Sequence, residues 1–203
     1  MKILDIITES YSDDNQYIDA VKSQNTTRLR IIVDAAAKAA GFKYRGWHGT
    51  PDGRFLQSEF QFKNRFGKQG VHWFSIDRGT AASYADDRRA WDYQNADPKI
   101  LECYLKLDNP LVVDGNGQQW RDAQRRGKTS DVIEQALESK HDGVIINNVK
   151  DFYQDNSKVK ATTTIAVFVS SHIKSTELVT HDGSGQIIPL SKRFNDSVAD
   201  IRY

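Results

Sequence analysis

The chain has 203 residues, with 28 lysines and arginines against 27 aspartates and glutamates, so its formal net charge is +1. This length fits one ordinary domain, and the balanced charge argues against binding nucleic acid through bulk electrostatics. The single cysteine, Cys103, excludes an internal disulfide and any site with several cysteine ligands. Because the longest apolar runs span only a few residues, the sequence predicts no membrane span, no secretory signal peptide and no membrane partner.

The first 40 residues predict an arm followed by a helix. Residues 1–24 run from a short apolar stretch into polar residues, which indicates a flexible or weakly docked arm. After Thr26 an apolar helical face follows, with Asn25 or Thr26 as the starting cap and Gly41 as a left-handed end cap. The residues of that face are Leu29, Ile32, Val33, Ala36 and Ala40.

The rest of the chain alternates short strands with long loops. Apolar or alternating runs predict strands over residues 42–48, 71–75, 100–107, 111–113, 143–147 and 165–169. Two more helices are predicted, over residues 79–86 and around residues 131–137. Beyond Gly185 only residues 187–190 and Phe194 look anchored. We therefore expect an α+β fold with antiparallel or mixed sheets, divided into an arm (1–24), a domain (25–182) and a C-terminal extension (183–203).

The common nucleotide and zinc motifs are absent: the chain has no Walker loop, no Gly-x-Gly-x-x-Gly and no His-Glu-x-x-His. What remains is an ordered series of short segments, several of them at predicted strand ends. In chain order these are Trp47–Pro51, Gly70–Ser75, Ala81–Ala85, Asp142–Ile146, Thr164–Phe168 and His172–Ser175.

Taken together, the segments resemble the ADP-ribosyltransferases of the diphtheria-toxin and poly(ADP-ribose) polymerase branch, above all the transferase domains of phage-borne and mobile-element polyvalent proteins. The likeness covers residues 44–176, and its specificity lies in the order and spacing of the segments. It implies a split β-sandwich with peripheral helices, to which the sequence adds an N-terminal helical arm outside the likeness. It also implies NAD⁺ as the substrate and no metal.

The resemblance assigns NAD⁺ contacts to the first two segments. His48 would bond the adenosine-side ribose through an imidazole nitrogen, and the backbone of Gly49 would clamp the nicotinamide amide. Thr50 and Ser75 would line the pocket as small hydroxyl donors. Cleavage of NAD⁺ passes through an oxocarbenium-like transition state, so such a site has to orient a ribose and stabilise developing positive charge.

The rings of Trp73 and Tyr84 would enclose the nicotinamide, with Trp73 where the family usually has tyrosine. A second departure is Thr164, which stands four residues before Phe168, where the family has its catalytic glutamate. That carboxylate binds the 2′-hydroxyl of the nicotinamide ribose and stabilises the cationic transition state. The implied catalytic residues are therefore His48, Tyr84 and Thr164.

The sequence offers no evident substitute for the missing glutamate. Glu177 lies past the strand, and Asp151 and Asp155 belong to the preceding loop. Removing one electrostatic partner of this kind commonly lowers the rate by ~10²–10³-fold. The departure disfavours chain elongation and leaves single transfer open.

Three functions follow as hypotheses. The first is a mono-ADP-ribosyltransferase that modifies a macromolecular acceptor, protein or nucleic acid, in the host cytoplasm. The second is a catalytically degenerate relative that acts as a binding or virion-associated module; Ile6–Glu9 resembles a cleavage pattern of phage maturation proteases. The third, an RNA 2′-phosphotransferase of the same fold, needs several arginines around the site, and the strand-end segments do not supply them.

Each site residue also has a structural interpretation. His48 could be a strand-end histidine, Gly49 a turn residue, Tyr84 a packing residue and Thr164 a strand former. Trp73 and Phe74 are neighbours on a strand, so they point to opposite faces and one belongs to the core.

Other residues receive no catalytic assignment. Cys103 is expected to be a buried, inert thiol, and His72 and His172 are expected to be solvent or edge histidines. Five arginines are interpreted as solvated, or, if clustered, as contacts to the NAD⁺ pyrophosphate or to a nucleic-acid acceptor. They are Arg88, Arg89, Arg121, Arg125 and Arg126.

Overall fold

The computed structural model describes residues 3–53, 60–62, 70–86, 97–119, 128–152 and 160–203, with side chains from residue 13 onward. Within these ranges there are four α-helices and two single-turn 3₁₀ helices. The α-helices are α1 (Ile3–Lys22), α2 (Thr26–Ala39), α3 (Arg78–Ala85) and α4 (Lys128–Glu138), and the 3₁₀ turns are Ser170–His172 and Leu190–Lys192.

Seven strands form one mixed sheet. They are β1 (Tyr44–Thr50), β2 (His72–Ser75), β3 (Lys99–Leu105), β4 (Pro110–Asp114), β5 (Gly143–Val149), β6 (Thr162–Val167) and β7 (Ile173–Ser175). Their order is β4-β5-β6-β2-β1-β3-β7, and every pairing is antiparallel except that of β4 with β5. The expected α+β class is confirmed.

The sheet is divided into two halves that meet at a narrow junction. β1 and β2 share a single register pair, Trp47 with Ser75, whereas β1 pairs with β3 along its whole length. Near the junction the halves pack closely, because a Cβ on Gly46 would lie 2.7 Å from Cβ of Phe74. Both halves contribute to one apolar cluster, which includes Phe74, Leu105 and Ile165. This is the split that the family resemblance implies.

Helices cover the outer faces of both halves. α1 and α2 pack on Tyr104 of β3, and Asn25 caps α2 by accepting a hydrogen bond from the backbone N–H of Arg28. Gly41 ends α2 with a left-handed φ of 90°, as its sequence predicts. On the other half, α4 covers β5 and β6 through Ala136.

The two ends of the chain pack against each other and against the sheet. Tyr17 of α1 is fully buried and its hydroxyl donates to the carbonyl of Leu178, while Asp14 accepts hydrogen bonds from Ser191. Lys174 of β7 is buried and donates through Nζ to the carbonyls of Val198 and Asp200. The division into arm, domain and extension stays a prediction.

Two strands are displaced from their predicted positions by two or three residues. β1 begins at Tyr44 rather than Phe42, because Phe42 is buried under α1 and α2 instead of entering the sheet. β6 begins at Thr162 rather than Ile165, because Thr162 and Thr164 pair with β5. The β6 shift brings Thr164 into the sheet, next to the junction of the two halves.

Candidate active site

The end of β1 holds His48 against aromatic rings. Its Nδ1 lies 2.8 Å from the carbonyl oxygen of Trp73 on β2. The imidazole meets Phe62 edge-on, with ring centroids 4.9 Å apart, and lies 5.5 Å from the ring of Phe74. Since a carbonyl only accepts, Nδ1 is the nitrogen that donates in this contact.

Gly49 is required by a helix rather than by a turn. It lies within β1, paired with Ile100, and a Cβ on it would stand 1.7 Å from the carbonyl oxygen of Ala81 in α3. Only glycine permits the backbone of α3 to come this close to the strand. The helix that carries Tyr84 is thereby held against the strand that carries His48.

The two small hydroxyl residues are already engaged within the protein. Thr50 is buried, and its hydroxyl exchanges hydrogen bonds with the backbone of Asp52. Ser75 is also buried; its oxygen accepts from the N–H of Asp77 at 3.1 Å and lies 3.5 Å from the carbonyl of Thr163. Both hydroxyls therefore fix the loops that border the site, and their role as NAD⁺ contacts stays a prediction.

Trp73 and Phe74 point to opposite faces of β2, as predicted. Phe74 is 2% exposed and belongs to the cluster between the two halves. Trp73 is half-buried and packs on the α4 side of the sheet, against the cluster that contains Ala166 and Phe168. Trp73 therefore contacts residues on both faces of the sheet. Its ring packs on the α4 side, and its backbone carbonyl accepts a hydrogen bond from His48, which lies on the Phe74 side.

The N-terminal cap of α3 fixes the helix that carries Tyr84. Asp77 caps α3 by accepting hydrogen bonds from the backbone N–H and the hydroxyl of Thr80, at 2.6 and 2.9 Å. From the last turn of α3, the Tyr84 hydroxyl donates to Oδ1 of Asp151.

Thr164 is 2% exposed and binds the same carboxylate. Its Oγ1 donates to Oδ2 of Asp151 over 3.2 Å. Asp151 thus connects two of the predicted catalytic residues, Tyr84 and Thr164. Asp151, which the sequence places in the preceding loop, therefore lies within hydrogen-bond distance of Thr164, because β5 turns its end toward β6. Glu177 is exposed, and Asp155 lies outside the described residues.

The predicted residues therefore form two groups. Tyr84 and Thr164 meet at Asp151, on the face of β2 that also carries Trp73 and Ser75. His48 lies on the Phe74 face and joins the first group through the Trp73 carbonyl.

His72 lies beside His48 and is buried, so the expectation of a solvent or edge histidine is wrong. It shares the Phe74 face of β2, and its ring lies 5.5 Å from that of Phe62. Its Nε2 has no hydrogen-bond partner among the described residues. Burial, with a smaller contribution from His48, lowers the pKa of His72 to about 4. The sequence could have predicted this burial, because His72 stands two residues before Phe74 on the same strand and so shares its face.

Three further expectations concern residues around this region. Cys103 is buried as expected, and burial raises the pKa of its thiol well above the ordinary value. His172 is half-buried in the turn before β7, not solvent-exposed. The five arginines (Arg88, Arg89, Arg121, Arg125 and Arg126) lie outside the described residues. No helix among the described residues is long and apolar enough to cross a bilayer.

Comparison with known proteins identifies the family. The model of the ADP-ribosyltransferase domain in polyvalent proteins matches residues 39–181, which span α3, α4 and all seven strands. No curated protein and no solved structure matches the chain. ADP-ribosyltransferases use NAD⁺ as their substrate. By this match, the chain belongs to the family of ADP-ribosyltransferase domains found in polyvalent proteins.

Proposed function

We propose that the chain is a mono-ADP-ribosyltransferase that takes ADP-ribose from NAD⁺ and passes it to a macromolecular acceptor. The observation that carries this proposal is the shared carboxylate: Tyr84 of α3 and Thr164 of β6 both donate to Asp151. Two residues that the family resemblance assigns to catalysis, far apart in sequence, are thus in one hydrogen-bonded group. Gly49 holds α3, and with it Tyr84, against the strand end that carries His48.

The reaction breaks the glycosidic bond between the ribose and the nicotinamide nitrogen. Both electrons of that bond leave with nicotinamide, which becomes neutral. An oxygen or nitrogen of the acceptor then forms the new bond to the same carbon, and its proton passes to solvent. When water is the acceptor, the products are ADP-ribose, nicotinamide and a proton.

The protein's part is to orient the ribose and to stabilise positive charge as it develops. In this proposal Nε2 of His48 accepts from the adenosine-side ribose, while Nδ1 donates to the Trp73 carbonyl. The rings of Trp73 and Tyr84 bind the nicotinamide by stacking. The position of Thr164 favours single transfer over chain elongation, because no side-chain carboxylate extends from it.

Release of nicotinamide from NAD⁺ by the purified protein tests the proposal without knowledge of the acceptor. We expect turnover that falls about a hundredfold in His48→Ala. The matched control is His181→Ala, since His181 is exposed near the end of the family match and should leave turnover unchanged. Folded wild-type protein that fails to bind NAD⁺ at millimolar concentration, measured by isothermal titration, would overturn the proposal.

A second candidate is a degenerate relative that binds NAD⁺ without turning it over. Threonine at position 164, where the family has glutamate, favours it. Its signature would be NAD⁺ binding with no nicotinamide release, in buffer and in host-cell lysate alike.

The acceptor in this proposal is a macromolecule of the host cytoplasm, reached from a phage particle. The support is the family match to polyvalent proteins and the Ile6–Glu9 pattern. Incubating host lysate with the protein and NAD⁺ labelled in its adenylate part would reveal the product. Removal of the label by protease or by nuclease would identify the acceptor class, and bands of discrete size would distinguish single transfer from chain growth.

A further inference from the structure

We propose that Asp151 supplies the catalytic carboxylate of this site, in place of the glutamate that the family has at the position of Thr164. The inference rests on the proposed function. Oδ2 of Asp151 accepts a hydrogen bond from Thr164 Oγ1 at 3.2 Å, and Oδ1 accepts one from the Tyr84 hydroxyl. The family resemblance assigns both partners to catalysis, whereas Asp151 lies between the short sequence segments that carry the resemblance.

A β-bulge turns Asp151 toward Thr164. β5 and β6 pair in regular antiparallel register from Gly143 to Ile146, and then the register shifts by one residue, so that Val149 pairs with Thr162. The extra residue lies between Ile146 and Val149, where Asn148 adopts a left-handed φ of 51°, which asparagine tolerates.

The bulge decides which face Asp151 occupies. Successive strand residues point to opposite faces, so one inserted residue reverses the facing of everything after it. Val149 consequently packs in the same cluster as Ile146, and Asp151, two residues later, lies on the Thr164 face. Without the insertion, Asp151 would point to the opposite face.

The backbone before Asp151 is also fixed. Lys150 forms an isolated bridge with Gln119, and its N–H donates to the carbonyl of Gln118 at 2.9 Å. The carboxylate is therefore held from both ends, by this bridge and by two hydroxyl donors. A preorganised charge of this kind is what stabilises a cationic transition state without reorganisation during the reaction.

The arrangement can do the chemistry of a glutamate at position 164. Oγ1 of threonine is attached to Cβ as Cγ of glutamate would be, and the hydrogen bond continues from it to a carboxylate. An ionised carboxylate has about four acceptor sites, and the Tyr84 and Thr164 hydroxyls use two of them. The remaining capacity suits a ribose hydroxyl. Asp151 stabilises the ribosyl cation while the bond electrons leave with nicotinamide, and it forms no covalent bond.

The test is nicotinamide release by Asp151→Asn, which keeps the shape of the side chain and removes its charge. We expect kcat to fall by ~10²–10³-fold, with the affinity for NAD⁺, measured by titration, within about threefold of wild type. The matched control is Asp108→Asn in the β3–β4 turn, where the carboxylate is exposed and its closest cation is Lys106 at 3.9 Å. That variant should leave kcat unchanged.

A second variant moves the charge instead of removing it. Thr164→Glu added to Asp151→Asn restores a carboxylate from β6, and we expect it to recover at least tenfold of the lost kcat. Circular dichroism and thermal unfolding of each variant establish that it is folded.

The outcomes separate this inference from the proposed function. Wild-type turnover that is unaffected by Asp151→Asn overturns the role of Asp151 and leaves the transferase standing. Wild-type protein that binds NAD⁺ and releases no nicotinamide also overturns it, in favour of the degenerate module. Failure of the folded wild type to bind NAD⁺ overturns the proposed function and the inference together.

Discussion

Polar side chains on the two faces of strand β2 differ in their hydrogen bonding. On the Thr164 face, polar groups satisfy one another: Tyr84 and Thr164 donate to Asp151, and Ser75 accepts from the backbone of Asp77. On the Phe74 face, His72 is buried among aromatic rings, and its Nε2 has no partner among the described residues.

This difference separates the tasks of the two faces. Hydroxyl donors fix the position of the carboxylate, and a carboxylate fixed in this way can stabilise a cationic transition state. A buried imidazole beside a second histidine resists protonation, and so it ties the stability of the fold to pH. We expect changes at Tyr84 and Asp151 to affect catalysis, and changes at His72 to affect stability.

The largest expected effect comes from breaking the close contact between β1 and α3, at Gly49. In Gly49→Ala the new Cβ would stand 1.7 Å from a backbone carbonyl of α3, which cannot rotate away as a side chain would. Overpacking of this kind commonly costs 1–3 kcal/mol, and we expect a loss at the upper end, about 3 kcal/mol, in chemical denaturation. Turnover should fall as well, because α3 carries Tyr84.

Gly183→Ala is the matched control, since beyond its chain neighbours no atom of the described residues lies within 4 Å of the added Cβ. Its free energy of unfolding should stay within about 0.5 kcal/mol of wild type. If Gly49→Ala is as stable as this control, α3 does not pack against β1 as closely as the structure shows.

The second effect is acid lability caused by His72. Its pKa in the folded protein is about 4, below the ordinary value of 6.5. As pH falls below 6.5, His72 binds a proton in the unfolded chain. In the folded protein His72 stays neutral until about pH 4. Stability present above pH 6.5 is therefore lost progressively down to pH 4, by about 3 kcal/mol in total.

Urea unfolding at several pH values measures this slope. In His72→Leu, which cannot titrate, the loss between pH 6.5 and 4 should shrink by that amount. His181→Leu removes an exposed histidine and should keep the wild-type slope. Equal slopes in His72→Leu and wild type would contradict a buried, neutral His72.

The third effect tests the Thr164 face through Tyr84. Tyr84→Phe keeps the ring and removes one donor from Asp151, so we expect kcat for nicotinamide release to fall about tenfold, equivalent to about 1.4 kcal/mol. Tyr17→Phe is the matched control, because it also removes a hydroxyl bond, to the carbonyl of Leu178. Both variants should lose about 1 kcal/mol of stability, and only Tyr84→Phe should lose activity. A similar kcat in the two would count against Asp151.

Features governed by short-range patterns were predictable from the sequence. The helix from Thr26 and its end at Gly41 follow from apolar spacing and local backbone preference, and the structure confirms them and selects Asn25 from the two predicted caps. The segments of the family resemblance have a specific order, which the family match bears out.

Features that depend on strand register were not predictable in the same way. Asp151 reaches Thr164 only because a bulge at Asn148 reverses its facing, and apolar alternation does not show where a bulge falls. The contact of Asp14 with Ser191 joins opposite ends of the chain, and no local pattern encodes it. In retrospect, an asparagine pair inside a strand is a signal for a bulge, because asparagine accepts left-handed backbone.

The smallest expected effect is the absence of a reaction at Cys103. Its side chain is 1% exposed in the cluster between the two halves, and burial raises the pKa of the thiol, so little reactive thiolate forms. We expect no labelling by an aromatic disulfide reagent in the native protein, complete labelling in guanidinium chloride, and unchanged nicotinamide release after exposure to the reagent. Ser184→Cys places a thiol at an exposed position and should label at once. Native Cys103 that labels faster than the protein unfolds would mean that the two halves of the sheet separate. The apolar cluster between the two halves would then not be closed to solvent.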